Sequence, residues 1–419
     1  MQVSIIIPVY NAQQYLEICL ESACMQTIKE LEIICIDDGS TDDSFTILER
    51  YGEKDKRIKI IKQVNRGPGM ARNRGMLEAS GEFVTFLDAD DYYIDSSFME
   101  QLYYACVENQ VKVCGSALMH LRRDTIIDDI TLQDVKMVAK RNKILWYQDF
   151  QFDYGYTGFL FSKKMLQEEN ITFPVYRRYQ DPCFLVRAMY AAEQFVFLET
   201  AAYVARVPTM ASRFSKDKAA DLLKGLFDNL MFAYEKKLDK LFQKSLARLE
   251  YEYYSIICRY ISLTDEQQVG LLWKINHLVR KVLHDDGYMI RPLSFIISEN
   301  KEYYPYYAEN LYERIEGEPF AYLYGAGEMA RKFIWYLKRQ SLLYKIKGIV
   351  VSVQTKDKQC IEGIQVGSLE ELGVKKKDLI LISTGAVFHK EIVESLHGKG
   401  FNNNVILDSV FLEELQEAD

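Results

Sequence analysis

Three polar segments follow apolar runs within the first hundred residues of this 419-residue chain: Pro8–Asn11, Asp37–Asp42 and Asp88–Asp91. Asp88-Ala89-Asp90-Asp91 presents several carboxylates from one tight turn. Hard oxygen ligands of this kind suit Mg²⁺ or Mn²⁺, which keep some of their waters and also bind phosphates. A metal in such a loop stabilises the charge of a diphosphate leaving group. The simpler alternative is that these aspartates cap a helix that follows them.

The segments between these loops predict alternating strands and helices. Strands are expected at 3–9, 31–36, 58–61 and 83–87. Helices are expected at 15–25, in the segment that ends at Tyr51 with Ser40 or Thr41 as its cap, and after Gly67-Pro68-Gly69. Apolar strands separated by helices imply a mostly parallel sheet with helices on both faces. Ligands bind such sheets beyond the carboxyl ends of the strands, where all three polar loops are expected.

Four motifs in this order resemble glycosyltransferase family 2, and the resemblance covers about the first 215 residues. They are Pro8–Asn11, Asp37–Asp42, Gly69-x-Ala71-Arg72-Asn73-x-Gly75 and Asp88–Asp91. The resemblance implies the GT-A fold and a nucleotide-diphosphate sugar donor, usually a UDP-sugar. It further implies an inverting, metal-dependent hexosyl transfer to a hydroxyl of a glycan or lipid-linked acceptor in surface polysaccharide synthesis.

The resemblance also implies which residues hold the nucleotide. Pro8 and Tyr10 match the loop that lines the base, and Asp37 and Asp38 match the acidic pair that contacts base and ribose. Asp38-Gly39 is at the same time an ordinary turn signal, so a purely structural role stays open.

A second group of residues matches the diphosphate side of the family's site. Arg72 would lie near the base or diphosphate, and Asp88 and Asp90 would bind Mn²⁺ or Mg²⁺, with Asp90 as the direct ligand. Arg206 would clamp a phosphate, because Tyr203–Arg206 and Ser212-Arg213 occupy the place of a mobile stretch that closes on the diphosphate in relatives. Both arginines also fit solvated surface positions.

An inverting transfer needs a base that takes the proton of the acceptor hydroxyl. In the family this base is the Asp of a Glu-Asp motif, and Tyr179-Gln180-Asp181-Pro182 lies in the matching place. Asp181 is therefore the expected base. Gln180 replaces the usual Glu, and the loss of that negative charge would leave Asp181 more acidic. The alternative is that Asp181 caps a helix expected at 183–190.

The rest of the chain predicts a helical segment and a second α/β unit. Leucines recur at helical spacing from 215 to 285, and 303–312 is expected to be a connector. From 320 the chain predicts a strand, the turn Gly325-Ala326-Gly327 and a helix at 328–339, a Rossmann-like pattern. Ser352 stands where an NAD site would have an acidic residue, which argues against an oxidoreductase. The expected domains are 1–214 (catalytic), 215–315 (helical) and 316–419 (Rossmann-like).

The composition limits the classes of partner that are expected for this protein. The formal net charge of −8 argues against a nucleic-acid partner. We find no signal peptide and no apolar run of about 20 residues, so a cytoplasmic protein is expected, at the inner face of the membrane if it is peripheral. Eight scattered cysteines predict reduced core thiols. Two alternatives stay open: a catalytically inactive nucleotide-sugar-binding protein, supported by Gln180, and assembly into a homo-oligomer through the C-terminal domain.

Overall fold

The computed structural model describes residues 1–122, 125–129, 131–141, 143–206, 214–299, 311–352, 360–384 and 388–407. Contacts between Cα atoms divide the chain into two compact units. The first comprises Met1–Ser212 and Lys224–Phe242, and the second comprises Arg213–Leu223 and Gln243–Asp419. Each unit contains its own sheet. The division into three domains made from the sequence stays a prediction.

The first unit is built on a mixed sheet whose ten described strands are β1 (Val3–Val9), β2 (Leu31–Asp37), β3 (Ile58–Lys62), β4 (Phe83–Phe86), β5 (Tyr92–Tyr93), β6 (Val113–Arg122), β7 (Thr125–Asp128), β8 (Leu145–Trp146), β9 (Phe159–Ser162) and β10 (Gln194–Arg206). Their order is β3-β2-β1-β4-β9-β6-β10-β5, with β7 paired to β6 and β8 to β10. Strands β3, β2, β1 and β4 are parallel neighbours, whereas β9 lies antiparallel between β4 and β6.

Helices pack beside this sheet because its central strands β1 and β4 are buried throughout. Every residue of β1 is buried, as expected for a parallel strand covered on both faces. The helices are α1 (Leu16–Cys24), α2 (Ser44–Lys54), α3 (Pro68–Glu78), α4 (Phe98–Asn109), α5 (Gln133–Ala139), α6 (Tyr147–Phe150), α7 (Lys163–Glu168) and α8 (Gln180–Ala192). α3 lies so close to β1 that a Cβ on Gly75 would come within 2.3 Å of Ile6 Cγ2, so this contact requires glycine.

A run of helices follows the first sheet, as the leucine spacing predicts. These helices are α9 (Lys216–Lys236), α10 (Asp239–Ala247), α11 (Tyr254–Tyr260), α12 (Glu266–Leu283) and α13 (Arg291–Glu299), with a π-helical turn at Arg248–Glu252. The boundary between the two units passes through α9 at residue 224. Most of the expected connector 303–312 lies outside the described residues. None of the described helices is long and apolar enough to cross a membrane.

The second unit contains a six-stranded, mostly parallel sheet. Its strands are β11 (Ala321–Tyr324), β12 (Ile346–Val350), β13 (Cys360–Ile361), β14 (Ile364–Gly367), β15 (Leu379–Ile382) and β16 (Asn404–Ile406), in the order β13-β14-β12-β11-β15-β16. Helices α14 (Glu328–Arg339) and α15 (His389–Gly398) belong to this unit. A core that includes Leu323, Phe333 and Leu381 supports it.

Most predicted elements are confirmed, but two details are wrong. Helix α2 begins at Ser44, with Asp43 at its N-cap and no side-chain cap bond, so neither Ser40 nor Thr41 caps it. The cysteines are free, as expected, but Cys360 is exposed rather than in a core.

Candidate active site

The polar loops meet at one edge of the first sheet, because β1 pairs in parallel with both β2 and β4. Backbone hydrogen bonds join the loops where these strands end. The N–H of Asp38 donates to the carbonyl of Val9 at 2.8 Å, and the N–H of Leu87 donates to the carbonyl of Ile6 at 3.0 Å. The fold therefore assembles residues from distant parts of the sequence into one crevice.

The residues predicted to line the base stand at the ends of β1 and β2. Pro8 is buried within β1, whereas 52% of the surface of Tyr10 is exposed. The carboxylate of Asp37 is buried and accepts a hydrogen bond from the backbone N–H of Ser40 at 3.2 Å. Of this group, Tyr10 is the side chain that lies open to a ligand.

Asp38 stabilises the loop that precedes α3. Its buried carboxylate accepts hydrogen bonds from Gln63 Nε2 at 2.7 Å and from the backbone N–H groups of Arg66 and Gly67 at 2.9 and 2.8 Å. A carboxylate has about four acceptor positions, so these bonds leave little capacity for a nucleotide. The structure gives Asp38 a positioning task, and its contact with the donor stays a prediction.

Ser40 and Thr41, expected to cap α2, instead fix the loop after β1. The backbone N–H of Asn11 donates to Ser40 Oγ at 3.2 Å, and the backbone N–H of Thr41 donates to Asn11 Oδ1 at 2.8 Å. Asn11 has a φ of 48°, a left-handed conformation that asparagine tolerates better than most residues. The two loops beside Tyr10 are thereby held to each other.

Asp88 and Arg72 form an ion pair at the end of β4. Arg72 Nη2 donates to Asp88 Oδ1 at 2.6 Å, and the hydroxyl of Tyr156 donates to the same oxygen at 3.2 Å. Only 5% of the surface of Arg72 is exposed, and its Nε and Nη1 have no hydrogen-bond partner among the described residues. The guanidinium lies 5.2 and 5.4 Å from the ring centroids of Tyr156 and Phe173. Arg72 is therefore a buried site residue rather than a solvated one.

The carboxylates after β4 crowd one another. Asp90 is exposed, yet its pKa lies above the ordinary value, because of partial desolvation and then the charge of Asp88. The pKa of the buried Asp91 is also well above its ordinary value, because of burial first and then the charges of Asp88 and Asp90. These residues do not cap a helix, since the two-residue strand β5 follows them. Such like-charge repulsion is relieved by a cation.

Tyr203 connects this acidic loop to β10. Its buried hydroxyl donates to Asp91 Oδ2 at 2.6 Å and accepts from the backbone N–H of Asp88 at 3.2 Å. Asp91 Oδ1 also accepts from the backbone N–H of Arg206 at 2.8 Å. One tyrosine and one aspartate thus hold the acidic loop and the end of β10 together.

Arg206 lies between two aromatic rings beside the acidic loop. Its guanidinium carbon is 5.1 Å from the ring centroid of Tyr15 and 4.9 Å from that of Tyr92. Its charge lowers the pKa of Asp90, though less than desolvation and Asp88 raise it. Tyr203–Arg206 belong to strand β10, which pairs with β6 and β5, and closure of this stretch on a diphosphate stays a prediction. Ser212 and Arg213 lie outside the described residues.

Asp181 lies in the first turn of α8 and does not cap that helix with its side chain. The carboxylate is partly buried, and it interacts electrostatically with Arg72, Arg178 and Asp88. Its pKa is raised, because desolvation outweighs the two arginines, which lower it. Desolvation is the largest cause of this shift, and the effect of Gln180 in place of the usual Glu stays a prediction.

The donor atoms at the acidic loop fit a divalent metal that is shared with a ligand. No cluster of three or more His, Cys, Asp or Glu side chains suited to a metal occurs in the part of the chain that the structure describes. Asp88 and Asp90 offer hard carboxylate oxygens, whereas both oxygens of Asp91 accept hydrogen bonds from Tyr203 and Arg206. Mg²⁺ is commonly held by one or two carboxylates and completes its shell with water and phosphate oxygens, so two carboxylates fit it better than a closed cage would.

The turn Gly325-Ala326-Gly327 of the second unit carries no acidic side chain, unlike the acidic loop of the first. Gly325 has a φ of 107°, and a Cβ there would come within 2.7 Å of Thr384 Cγ2. Ser383 Oγ donates to the carbonyl of Tyr324 at 3.0 Å. Ser352 is the second residue after β12, as expected from the sequence. No charged side chain follows β11, β12 or β15 directly in the described residues.

Sequence reasoning missed the tyrosines of the site. Tyr156 received no predicted role, and Tyr203 was named only as the first residue of Tyr203–Arg206, because spacing alone reveals no role for either. The partners of their hydroxyls, Asp88 and Asp91, are 68 and 112 residues away in the chain. Only the register of β9 and β10 brings these groups together.

Comparison with known proteins gives a consistent result for the first unit. The profile "Glycosyl transferase family 2" matches residues 4–168. Bacillus subtilis EpsH is 32% identical over 213 residues, which cover 49% of this chain and 60% of EpsH. The poly(ribitol-phosphate) beta-glucosyltransferase of Bacillus spizizenii is 33% identical over 202 residues, which cover 46% of this chain and 30% of that enzyme. The match thus spans less than two thirds of the length of each of these relatives.

The fold is similar to that of a solved structure, S. aureus TarS residues 1–349 in complex with UDP. The TM-score is 0.56 at 20% identity, over 75% of this chain and 92% of TarS 1–349. The same TarS segment is also solved in complex with UDP-GlcNAc, with 19% identity and the same TM-score. At this identity the likeness shows the fold, which is GT-A.

Proposed function

We propose that the protein is an inverting glycosyltransferase, because residues 4–168 match the profile "Glycosyl transferase family 2". It moves a hexosyl group from a nucleotide-diphosphate sugar to a hydroxyl of a glycan or lipid-linked acceptor in surface polysaccharide synthesis. The observation that carries this proposal is that Arg72 interacts with both Asp88 and Asp181. The diphosphate side and the base side of a transfer site thus adjoin each other.

The donor is a UDP-sugar. The complexes of TarS with UDP and UDP-GlcNAc support this nucleotide. Pro8, Tyr10, Asp37 and Asp38 form the base and ribose side, where Tyr10 has the exposed ring. Asp38 acts there chiefly by holding the loop before α3, as its three hydrogen bonds require.

Asp90, with Asp88, holds Mn²⁺ or Mg²⁺. The metal would supply positive charge to the diphosphate as the glycosidic bond breaks. Arg206 adds a fixed positive charge at the same place, because the rings of Tyr15 and Tyr92 limit its freedom. Preorganised charge of this kind stabilises the leaving group without reorganisation during the reaction.

Asp181 is the base on the acceptor side. The acceptor oxygen attacks the anomeric carbon on the face opposite the diphosphate, whose bond to that carbon breaks with its electron pair. The hydroxyl proton passes to the carboxylate of Asp181. A raised pKa makes this carboxylate a better proton acceptor than an ordinary aspartate, provided that the pH keeps it ionised.

The alternative is an inactive protein that binds a nucleotide sugar. Its support is Gln180, whose side chain is buried and whose Oε1 has no partner among the described residues. The aspartate next to it is retained, and its electrostatic link to Arg72 favours an active enzyme.

The second unit supports assembly or orientation rather than redox chemistry, because no acidic residue follows β12 directly. Homo-oligomer formation through this unit, a cytoplasmic location and a peripheral position at the inner membrane face belong to the same proposal.

The test is an assay of the full chain with a set of nucleotide sugars, Mn²⁺ and a lipid-linked or glycan acceptor. We expect UDP release that depends on the acceptor, and inversion at the anomeric carbon when the product is examined by NMR. Donor binding without acceptor-dependent release would favour the inactive protein, and a retained anomeric configuration would contradict the role of Asp181.

A further inference from the structure

A surface patch on the first unit combines exposed apolar and basic side chains. We name it the basic–aromatic patch, and its members are Met137, Lys140, Arg141, Lys143, Ile144 and Trp146, all of which are exposed. The segment 135–148 carries four basic residues and no acidic one, in a chain whose net charge is −8. Positive charge and exposed apolar surface therefore coincide in this segment, although the chain as a whole is acidic.

The local structure explains why these side chains share one surface. Met137 lies in the last turn of α5, Lys140 is the C-cap residue of that helix, and Arg141 follows directly, with its N–H donating to the carbonyl of Val138 at 3.0 Å. Val135 turns into the core on the other side. In β8, Leu145 is buried and Trp146 exposed, which is the alternation of a strand with one face packed on the protein. β8 pairs with β10 through Trp146 and Gln194, which fixes the tryptophan in place.

The basic groups of the patch are available to a partner. Lys140, Arg141 and Lys143 make no ion pair with any residue that the structure describes, whereas Lys136 is paired with Asp128 at 3.7 Å. Asp134, in the first turn of α5, and Asp149 are the acidic side chains closest in the sequence. Trp146 and Met137 expose 50% and 58% of their surfaces.

We propose that the basic–aromatic patch docks this protein on an anionic lipid surface. Tryptophan is favoured at the interface of a bilayer, where its apolar ring and its N–H are both accommodated. Lysine and arginine beside it are attracted to acidic headgroups. A soluble polyanion would use the basic groups but would leave Trp146, Ile144 and Met137 in water, so it fits the patch less well.

This docking deepens the proposed function, on which its purpose rests, because a lipid-linked acceptor is presented at a membrane. The binding itself does not depend on sugar transfer. A failure of vesicle binding would thus leave the transferase proposal intact, and an inactive protein could still bind vesicles.

The experiment is flotation of the full chain with vesicles of phosphatidylcholine alone or with phosphatidylglycerol. We expect binding to the anionic vesicles that weakens with added salt. The triple variant Lys140→Glu, Arg141→Glu, Lys143→Glu should bind on the order of a hundredfold more weakly, since each basic group near an anionic leaflet adds about fivefold. Equal binding by this variant and the wild type would overturn the proposal.

A matched triple variant controls for net charge. Lys375, Lys376 and Lys377 form an exposed basic run with no large exposed apolar side chain beside it. Lys375→Glu, Lys376→Glu, Lys377→Glu changes the net charge equally and should retain binding. If both triple variants lose binding alike, the attraction is a property of net charge and the patch has no special role.

Tryptophan separates a lipid surface from a polyanion. Trp146→Ala should weaken vesicle binding, while Trp273→Ala, at a tryptophan that is 44% exposed elsewhere, should not. The fluorescence of the wild type should shift to the blue on vesicles, and this shift should be lost in Trp146→Phe. Binding to soluble polyphosphate that is as tight as vesicle binding, and insensitive to Trp146→Ala, would contradict the lipid assignment.

Discussion

The two sheets of this protein end in edges of similar construction and different charge. In the first unit α3 begins after Gly67, and in the second unit α14 begins after Gly327. At the first edge lie Arg72, Asp88 and Asp90. At the second edge, Ser352 and Ser383 stand after β12 and β15. The strands are parallel at both edges, but the charged side chains that could act on a diphosphate lie at the first, whereas the described residues Ser352 and Ser383 at the second are uncharged. Topology marks where a ligand could bind, and the side chains decide the chemistry.

The comparison predicts that the largest loss of activity comes from the base at the first edge. Asp181→Asn keeps the shape of the side chain but cannot accept a proton. The rate of transfer should fall by about 10²–10⁴-fold, the usual contribution of a general base. UDP affinity, measured by calorimetry, should stay near that of the wild type. Asp239→Asn, also in the first turn of a helix, is the matched control and should be fully active.

The pH dependence of the wild type gives a second measure of the same residue. Asp181 must be ionised to act, and its pKa is raised from 3.8 by desolvation. On acidification, the activity should therefore be lost at a higher pH than it would be with an aspartate of ordinary pKa. An acidic limb at or below pH 3.8, or normal turnover by Asp181→Asn, would exclude Asp181 as the base.

A smaller effect is expected at the metal. Asp90→Ala removes the exposed carboxylate, so the Mn²⁺-dependent part of UDP affinity should fall by about 10- to 100-fold, as changes at metal sites commonly do. Calorimetry with Mn²⁺ and with chelator separates the two contributions. Identical UDP affinity of the wild type in both conditions would mean that the acidic loop acts without a metal.

A smaller effect again is expected from Tyr203→Phe, which removes the hydroxyl between Asp91 and the N–H of Asp88. A buried carboxylate that loses one donor costs about 1–3 kcal/mol of stability, and Mn²⁺-dependent UDP binding should weaken severalfold. Thermal unfolding and calorimetry measure the two effects.

Tyr93→Phe is the matched control for Tyr203→Phe. Tyr93 is equally buried, its ring lies 5.7 Å from that of Tyr203, and its hydroxyl makes no hydrogen bond to the acidic loop. Metal-dependent binding that drops equally in both variants would point to general loosening of the core rather than to a role for Tyr203 in placing the loop.

The smallest effect on the nucleotide is expected at the second edge. Gly325→Val should destabilise the second unit, because a Cβ there meets Thr384 and the φ of 107° disfavours valine. UDP affinity of the folded full chain should not change, and the wild type should not bind NAD(H). A marked loss of UDP affinity, or tight NAD(H) binding, would contradict the contrast between the two edges.

The sequence allowed the fold and the charged residues to be predicted, but not the bonds between them. Buried strands such as β1 can be predicted from largely apolar runs, and Asp88 and Asp181 belong to motifs. The antiparallel insertion of β9 between β4 and β6 has no local signal, because pairing between distant segments is decided by tertiary packing. The bonds of Tyr156 and Tyr203 depend on that pairing, and so does the dominance of desolvation at Asp181.

The passage of the unit boundary through α9 matters for how this protein could be recombined with others. Gly225 and Asp228 lie on the part of α9 that belongs to the first unit. A Cβ on Gly225 would come within 2.8 Å of the Tyr179 ring, and Asp228 accepts a hydrogen bond from the hydroxyl of Tyr176 at 2.8 Å. Both contacts support the segment that leads into Asp181. A chimera joined at residue 214 would lose these contacts to the segment that precedes Asp181. A junction after residue 242 would keep Asp181 together with the part of α9 that contacts this segment.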